Sequence, residues 1–168
     1  MGVSRVAKFC PQCGFPLVQE FRFGMKRPVC PQCGHTVFFD PKLAVATLIL
    51  KDDSVLLVKR ACDPMKGYWA LPAGFVEWNE DPTDAACREC MEETGLVVQI
   101  DRLLDIFHTP DDGGLADLVI AYQASIKAGT LRAADDAEDV RWFDRESLPP
   151  TAFLPSQRLL ARWLDGEL

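Results

Sequence analysis

The sequence from Gly74 to Leu96 reads G-F-V-E-W-N-E-D-P-T-D-A-A-C-R-E-C-M-E-E-T-G-L and carries the strongest structural signals in the chain. Asp81 is a suitable helix N-cap. Pro82 suits the first helical turn, because its missing N–H is not needed there. Gly95 suits the left-handed position at which many helices end. The stretch therefore predicts one helix between Asp81 and Gly95.

Three glutamates fall on one side of this predicted helix. Glu89, Glu92 and Glu93 are spaced so that their side chains crowd together, and like charges at this spacing repel. A hard divalent cation such as Mg²⁺ would relieve that repulsion, because it prefers carboxylate oxygens. A solvated acidic face is the other interpretation of three glutamates taken alone.

The spacing of the fixed positions in this stretch resembles the Nudix box. Five residues separate Gly74 from Glu80, and seven residues separate Glu80 from the pair Arg88-Glu89. The box continues with Glu92-Glu93 and ends at Gly95. Cys90 stands where the family usually has Ile, Leu or Val, which is a mild departure because free cysteine behaves as a small hydrophobe. The lead-in from Trp69 to Gly74 also resembles the family.

The resemblance implies a fold, a reaction and a set of metal ligands. The fold is α+β, an αβα sandwich with a mixed sheet. The reaction is hydrolysis of a pyrophosphate bond in a nucleoside diphosphate derivative, assisted by Mg²⁺ or Mn²⁺. The expected ligands are carboxylates of the box and the carbonyl of the box glycine, namely Gly74, Glu89, Glu92 and Glu93.

Other acidic and basic residues receive supporting roles. Glu80 could bind metal through water or brace the loop before the helix. Arg88 is expected to pair with a nearby carboxylate and to fix its rotamer. Glu89 is our first choice for the general base. Asp139 is a second acidic candidate, for the base or for metal binding, with a solvated loop as the alternative.

Length and composition indicate an ordinary globular protein with a small appendage. The chain has 168 residues, 48% of them hydrophobic, and its net charge is −7. This charge argues against a broad surface for nucleic acid. No apolar h-region follows the first residues, and no run reaches the ~18 apolar residues of a membrane span. A cytoplasmic protein is the expectation.

Four of the seven cysteines form two near-copies of one motif, Cys-Pro-Gln-Cys-Gly, at Cys10, Cys13, Cys30 and Cys33. Two disulfides are possible, but two CxxC pairs with this spacer are typical of a tetrahedral zinc site. Four thiolates close such a site, so the zinc should be structural. Residues 8–38 are predicted to form a zinc ribbon whose hairpin turns near Phe21–Lys26. We expect the ribbon to pack on the main domain or to support a dimer rather than to bind nucleic acid.

The domain boundary is placed between a ribbon at residues 1–39 and a hydrolase domain at residues 40–168. Hydrophobic patterns predict strands at 43–50, 55–59, 115–126 and 140–143, one or two strands at 97–107, and a helix at 155–164. Segments 108–114 and 128–139 are predicted loops. Lys59 and Arg60 are either solvated charges at a strand end or contacts for a substrate phosphate. Cys87 and Cys90 are predicted to be packing residues.

The substrate is less defined than the reaction. Nudix NADH pyrophosphatases also carry a zinc ribbon, but their Ser-Gln-Pro-Trp-Pro-Phe-Pro stretch is absent here. The whole chain resembles the short zinc-ribbon enzymes that cleave ADP-ribose or FAD, releasing AMP and a phosphorylated remainder. A sanitising hydrolase of modified nucleoside triphosphates and a ligand-sensing transcription regulator are the alternatives. The family often dimerises, so a homodimer is expected.

Overall fold

The structure, a computed structural model, describes residues 6–109 and 115–168. The predicted loop at 108–114 therefore falls largely outside the described residues. The chain divides into two compact units, Met1–Pro41 and Lys42–Leu168. The predicted boundary lies two residues before this division.

The first unit contains a two-stranded antiparallel hairpin, β1 (Val18–Arg22) and β2 (Met25–Val29). The turn between the strands consists of Phe23 and Gly24, and both residues have positive φ. Glycine tolerates this conformation at no steric cost. The hairpin lies where the ribbon pattern predicted it.

The described residues of the second unit form one mixed sheet, two α-helices and a short 3-10 helix. Its elements in chain order are β3 (Leu43–Lys51), β4 (Ser54–Arg60), β5 (Trp69–Ala70), β6 (Ala73–Phe75), α1 (Pro82–Thr94), β7 (Leu96–His108), β8 (Leu118–Gly129), β9 (Ala137–Asp144) and α2 (Leu154–Leu164).

The central strand of this sheet is β3. It pairs in parallel with β8 and antiparallel with β4 and β6, and β9 pairs with β4. The strand order along the main path is β5-β4-β3-β8-β7. A strand that is paired on both sides and covered on both faces should be a continuous apolar run, which is what its sequence shows.

The two helices cover opposite faces of the sheet. Ala46 and Leu48 of β3 pack in a cluster with Leu159 and Trp163 of α2. Val45 packs with Ala85 and Ala86 of α1, and Ile49 packs with Cys90 of α1. Since neighbouring residues of a strand point to opposite faces, this alternation places one helix on each side. The predicted αβα sandwich is confirmed.

Several predicted segments differ from the structure in extent, and β8 begins and ends three residues after the predicted 115–126. β9 begins at Ala137, so the predicted loop 128–139 ends in a strand. Its Asp139 pairs with Lys59 of β4, and its Glu138 bonds the same lysine. Acidic residues lower strand propensity, and the sequence pattern could not reveal the partner strand that compensates for them. β7 is one strand of 13 residues, longer than the predicted 97–107.

No helix within residues 6–109 and 115–168 is long and apolar enough to cross a membrane.

Candidate active site and zinc site

Both ends of α1 are fixed by the residues that the sequence indicated. The Asp81 carboxylate accepts a hydrogen bond from the Thr83 N–H at 2.8 Å. Gly95 ends the helix with φ of 70°, and its N–H donates to the Met91 carbonyl. The helix therefore has a defined start and register, which fixes the direction in which each of its glutamates points.

Gly74 is in direct contact with Glu89. Gly74 lies on β6 opposite Val45 of β3. A Cβ atom added to Gly74 would lie 2.0 Å from Cδ of Glu89. Any larger residue would therefore displace the Glu89 carboxylate. This close approach explains why the motif has a glycine at position 74, since a side chain there would clash with Glu89.

Arg88 lies among the carboxylates and partly neutralises them. Its Nε and Nη2 each donate to a different oxygen of Glu80 at 2.8 Å. Its Nη1 donates to Glu89 at 2.6 Å and to Glu92 at 2.9 Å. Nη2 also donates to the Phe75 carbonyl at 3.0 Å. One guanidinium thus partly relieves the repulsion between Glu89 and Glu92, and the same group connects the preceding loop to α1.

The contacts between Arg88 and Glu80 shift the pKa values of both groups so that their charged forms are favoured. The hydrogen bond to Glu80 is the largest cause that raises the pKa of Arg88. The same hydrogen bond lowers the pKa of Glu80. Both groups stay charged over a wide pH range.

Glu93 is the most buried of the box glutamates, with 3% of its surface exposed. Its carboxylate accepts the Ala73 N–H at 3.0 Å. Burial is the main cause that raises the pKa of Glu93 well above its usual value, and the adjacent Asp136 carboxylate, which hydrogen bonds to it, adds to the effect. Burial also raises the pKa of Glu89, against the opposing influence of Arg88.

Asp136 is a site residue that the sequence interpretation did not select. It lies just before β9, and its carboxylate contacts Glu93 and the Cys62 thiol. The acidic pair Asp135-Asp136 was the available signal, but nothing in the sequence shows which acid of this segment meets α1. Asp139, the selected acid, lies on β9 and pairs with Arg141 at 2.6 Å.

A cavity of about 400 Å³ opens beside these carboxylates. Its walls are largely apolar, from Val58, Leu71, Pro64 and Phe153 among others. Glu89, Glu93, Asp135 and Asp136 line it, whereas Glu80, Arg88, Glu92 and Asp139 are not among the described residues that line it. The structure thus brings two of the predicted glutamates to the cavity and leaves the others around it.

Arg60 is the one cationic side chain among the described residues that line this cavity. Its Nε donates to the Pro64 carbonyl at 2.8 Å, and its guanidinium lies 4.9 Å from the centre of the Phe153 ring. Its neighbour Lys59 pairs instead with Glu138 at 2.8 Å. The two strand-end cations therefore have different surroundings.

The carboxylates that face the cavity have the chemistry of a divalent-metal site. Glu93 is buried and Glu89 is partly buried, both close to a third carboxylate, Asp136, and burial is the main cause that raises the pKa of each glutamate. A hard cation would supply the missing positive charge and would favour the ionised forms. Carboxylate oxygens are the ligands that hard divalent cations prefer, so the donor set is chemically suited to such an ion.

The four ribbon cysteines converge on one point. Their sulfur atoms all lie within 4.8 Å of one another. The Sγ–Sγ distances include 3.4 Å for Cys13 and Cys30 and 3.6 Å for Cys10 and Cys33. A disulfide would bring two sulfurs to about 2.05 Å. Four thiolates around a tetrahedral zinc at about 2.3 Å would show the observed spread.

The two knuckles share one backbone geometry. Gly14 donates to the Cys10 carbonyl and Gly34 to the Cys30 carbonyl, both at 2.9 Å. Burial opposes ionisation of Cys30, but the N–H groups of Cys33 and Gln32 and the nearby thiols lower its pKa to about 7. The N–H groups of Phe15 and His35 act to lower the pKa values of Cys13 and Cys33, but Cys30 and burial raise them above the usual value. The backbone thus favours a thiolate at Cys30, and the thiolate is the form that binds zinc.

Comparison with known proteins agrees with the site. The NUDIX domain family matches residues 40–164. An ADP-ribose pyrophosphatase of Methanocaldococcus jannaschii is 38% identical over 136 residues, covering 79% of this chain and 80% of that protein. A NAD-capped RNA hydrolase NudC of Pseudomonas aeruginosa is 32% identical over 96% of this chain, which spans 55% of the NudC length.

A solved structure extends the agreement over nearly the whole chain. A NUDIX hydrolase from Nitrosomonas europaea matches with a TM-score of 0.85 and 29% identity, covering 95% of this chain and 91% of that one. The fold and the site together define a hydrolase that acts on phosphoric anhydrides. The chain belongs to the Nudix family.

Proposed function

We propose that this protein hydrolyses the pyrophosphate bond of ADP-ribose, FAD or NADH-type substrates and releases AMP and a phosphorylated remainder. The proposal rests on one arrangement of residues. Gly74 contacts Glu89, and both residues line the same cavity as the buried Glu93. The names of two relatives, ADP-ribose pyrophosphatase and NAD-capped RNA hydrolase, support this class of substrate.

The proposed metal ligands are Glu89, Glu92 and Glu93 with the Gly74 carbonyl, and the structure adds Asp136 as a candidate. Mg²⁺ or Mn²⁺ would neutralise the phosphates and acidify bound water. Glu89 is the proposed general base, since a raised pKa suits a proton acceptor near neutral pH.

Arg88 and Glu80 have a positioning role in this proposal. Their two-point ion pair fixes the loop that follows Gly74, and the third contact of Arg88 orients the Glu89 carboxylate. Arg60 would contact a substrate phosphate, because it is the one cationic side chain among the described residues that line the cavity. Asp139 is a weaker candidate for the general base or for metal binding, because its carboxylate already forms an ion pair with Arg141.

The ribbon zinc is proposed to be structural. Its four ligands are all sulfur, which leaves no coordination position for a substrate. The protein is also proposed to be a homodimer, which light scattering during size-exclusion chromatography would measure directly.

Product analysis tests the proposed reaction. The protein is incubated with ADP-ribose, FAD, NADH and 8-oxo-dGTP in the presence of Mg²⁺ or Mn²⁺. We expect AMP from the first three substrates and a lower kcat/KM for 8-oxo-dGTP. A nucleoside monophosphate and pyrophosphate as the preferred products would indicate a sanitising enzyme. Tight binding without turnover would indicate a ligand sensor.

A further inference from the structure

Trp78 is exposed to an unusual degree for a tryptophan. It lies between β6 and α1, and 93% of its surface is accessible to solvent. Trp163 is buried, and Trp69 and Trp142 are half-buried. An indole offers a large apolar area, so a fold normally covers it at least in part. Such a ring left in solvent at a functional loop suggests a role in binding.

The turn that carries Trp78 is held firmly at both ends. The Glu80 N–H donates to the Glu77 carbonyl at 3.1 Å, and the Glu80 carboxylate accepts the Glu77 N–H at 3.3 Å. Arg88 of α1 donates two hydrogen bonds to the Glu80 carboxylate and a third to the Phe75 carbonyl. The turn that carries the ring is therefore already ordered. Binding of a ligand to the ring would cost the protein little backbone entropy.

This turn lies at the rim of the cavity. Phe75 and Glu77 line the cavity, and Trp78 is the next residue along the chain. The cavity volume of about 400 Å³ is near the lower end of the roughly 300–1,000 Å³ that is usual for small-molecule sites. A dinucleotide with two aromatic groups would extend beyond such a cavity, and its outer group would meet the rim.

The residues around Trp78 favour a small planar ligand over a protein partner. Trp78 is flanked in its turn by Glu77, Asn79 and Glu80. Protein interfaces are centred on contiguous apolar patches. One ring among polar side chains instead matches a stacking contact, which needs only the flat face of one base.

We infer that Trp78 is a stacking platform for the aromatic group of the substrate that the cavity does not enclose. The site would then bind pyrophosphates that carry a planar ring system on both halves, such as FAD or NADH, better than ADP-ribose. This inference rests on the proposed function and names the substrate class within it.

The test compares substrates with one and two planar ring systems. The variants are Trp78→Ala and Trp78→Phe, with Trp142→Phe as the control that removes a half-buried indole elsewhere. We expect Trp78→Ala to raise KM for FAD and NADH about tenfold while leaving kcat, and KM for ADP-ribose, nearly unchanged. Trp78→Phe should keep most of the affinity, and Trp142→Phe all of it.

Calorimetric titration supplies a measurement that does not depend on turnover. In a Glu93→Gln background with Mg²⁺, the added Trp78→Ala change should weaken binding of FAD about tenfold and leave binding of ADP-ribose unchanged. If wild type hydrolyses none of these substrates, the proposed function fails, while these titrations still decide the role of Trp78.

Three results would overturn the inference. The first is unchanged affinity for every substrate in Trp78→Ala. The second is an equal loss for ADP-ribose and FAD, which would indicate a general disturbance of the loop. The third is a change of oligomeric state in Trp78→Ala without a selective loss of FAD affinity, which would make Trp78 a protein contact.

Discussion

At the scale of single residues, the glutamates of the box differ in burial and in their partners. Glu92 is half exposed and pairs with Arg88, whereas Glu93 is enclosed between the Ala73 N–H and Asp136. Charge on an enclosed carboxylate lowers the stability of the metal-free fold and is compensated when a cation binds. Activity and stability should therefore respond in opposite directions when this charge is removed.

Glu93→Gln tests this opposition. The amide removes the charge but can still accept the Ala73 N–H and donate to Asp136. We expect kcat to fall by a factor on the order of 10² or more, because transition-state charge loses its counter-ion. Thermal unfolding in EDTA at pH 7 should occur at the same or a higher temperature. Glu138→Gln, on the surface beside Lys59, is the control. Intact hydrolysis with lost stability would contradict a catalytic role for Glu93.

The raised pKa of Glu93 also predicts a pH dependence. The folded metal-free protein holds this proton more tightly than the unfolded chain does. The resulting stabilisation is complete below the unfolded carboxyl pKa of about 4.3 and is lost as pH rises toward the folded pKa. In EDTA, the difference in Tm between Glu93→Gln and wild type should therefore increase as pH rises from 4 to 8. A constant difference would show that the folded pKa is not raised.

Gly74→Ala tests the contact between strand and helix. The added Cβ would lie 2.0 Å from the Glu89 carboxyl carbon, so the carboxylate must move. A displacement of about 1 Å in a catalytic group costs on the order of 10² in rate. The double variant Gly74→Ala/Glu89→Asp, with a shorter acid, should regain part of any metal affinity lost. No loss of rate in the single variant would show that the position of Glu89 is unimportant.

Arg60→Gln tests whether the cation of the cavity contacts substrate. We expect KM to rise about tenfold, the order of one lost charge-assisted hydrogen bond, with the Mg²⁺ concentration for half-maximal rate unchanged. Lys59→Gln is the matched control, because that neighbouring charge pairs with Glu138 outside the cavity. Equal effects of the two substitutions would mean that only the total charge of the strand end matters.

At the scale of elements, α1 depends on its caps more than on its amphipathicity. Its apolar contacts are small residues such as Ala85 and Ala86, and the opposite side carries charges. The Asp81 cap therefore sets where the helix begins and where its glutamates fall. The hydrogen bonds from Thr83 lower the pKa of Asp81, so the cap is ionised in neutral solution.

Asp81→Ala should lower the free energy of unfolding by about 1 kcal/mol. Asp81→Ser should restore most of it, because the serine hydroxyl accepts the same N–H. Asp84→Ala is the control for a first-turn charge that does not cap. Urea denaturation of the three variants measures the differences. An equal loss in Asp84→Ala would indicate a charge effect rather than a capping effect.

At the scale of the whole molecule, the chain contains two units whose stabilities have different sources. Residues 42–168 contain a layered core, whereas the ribbon has a short hairpin and four convergent thiols. A segment of this size rarely forms a sufficient core without a metal or disulfides. Loss of zinc should therefore affect one unit and spare the other.

Cys30→Ser tests this independence. We expect one zinc per chain in wild type by elemental analysis and a much weaker zinc affinity in the variant. Hydrogen exchange should accelerate within residues 6–41 and stay slow in β3, β8 and α2. Cys62→Ser, which removes a thiol outside the ribbon, is the control. Absence of zinc in wild type would exclude the metal interpretation.

The sequence predicted the features that depend on local chemistry. Asp81, Pro82 and Gly95 mark the helix because caps require particular residue types within a few positions. The Cys-Pro-Gln-Cys-Gly repeats mark the ribbon for the same reason. Asp136, the burial of Glu93 and the setting of Arg60 could not be predicted in this way. Each depends on which distant segment lies opposite, and one sequence alone does not record that contact.

The parallel pairing of β3 with β8 has a consequence for the order in which the chain folds. It joins Leu43 to Leu118, so the ladder cannot form until a ribosome has released everything between them. Contacts between distant segments also slow folding, because the entropy of closing a long loop is lost before the contacts can stabilise the chain. The Arg22–Met25 hairpin of the ribbon closes locally. During synthesis, zinc binding by the ribbon should therefore precede assembly of the sheet, and α1 should gain its contacts with β7 only after that later strand has been synthesised.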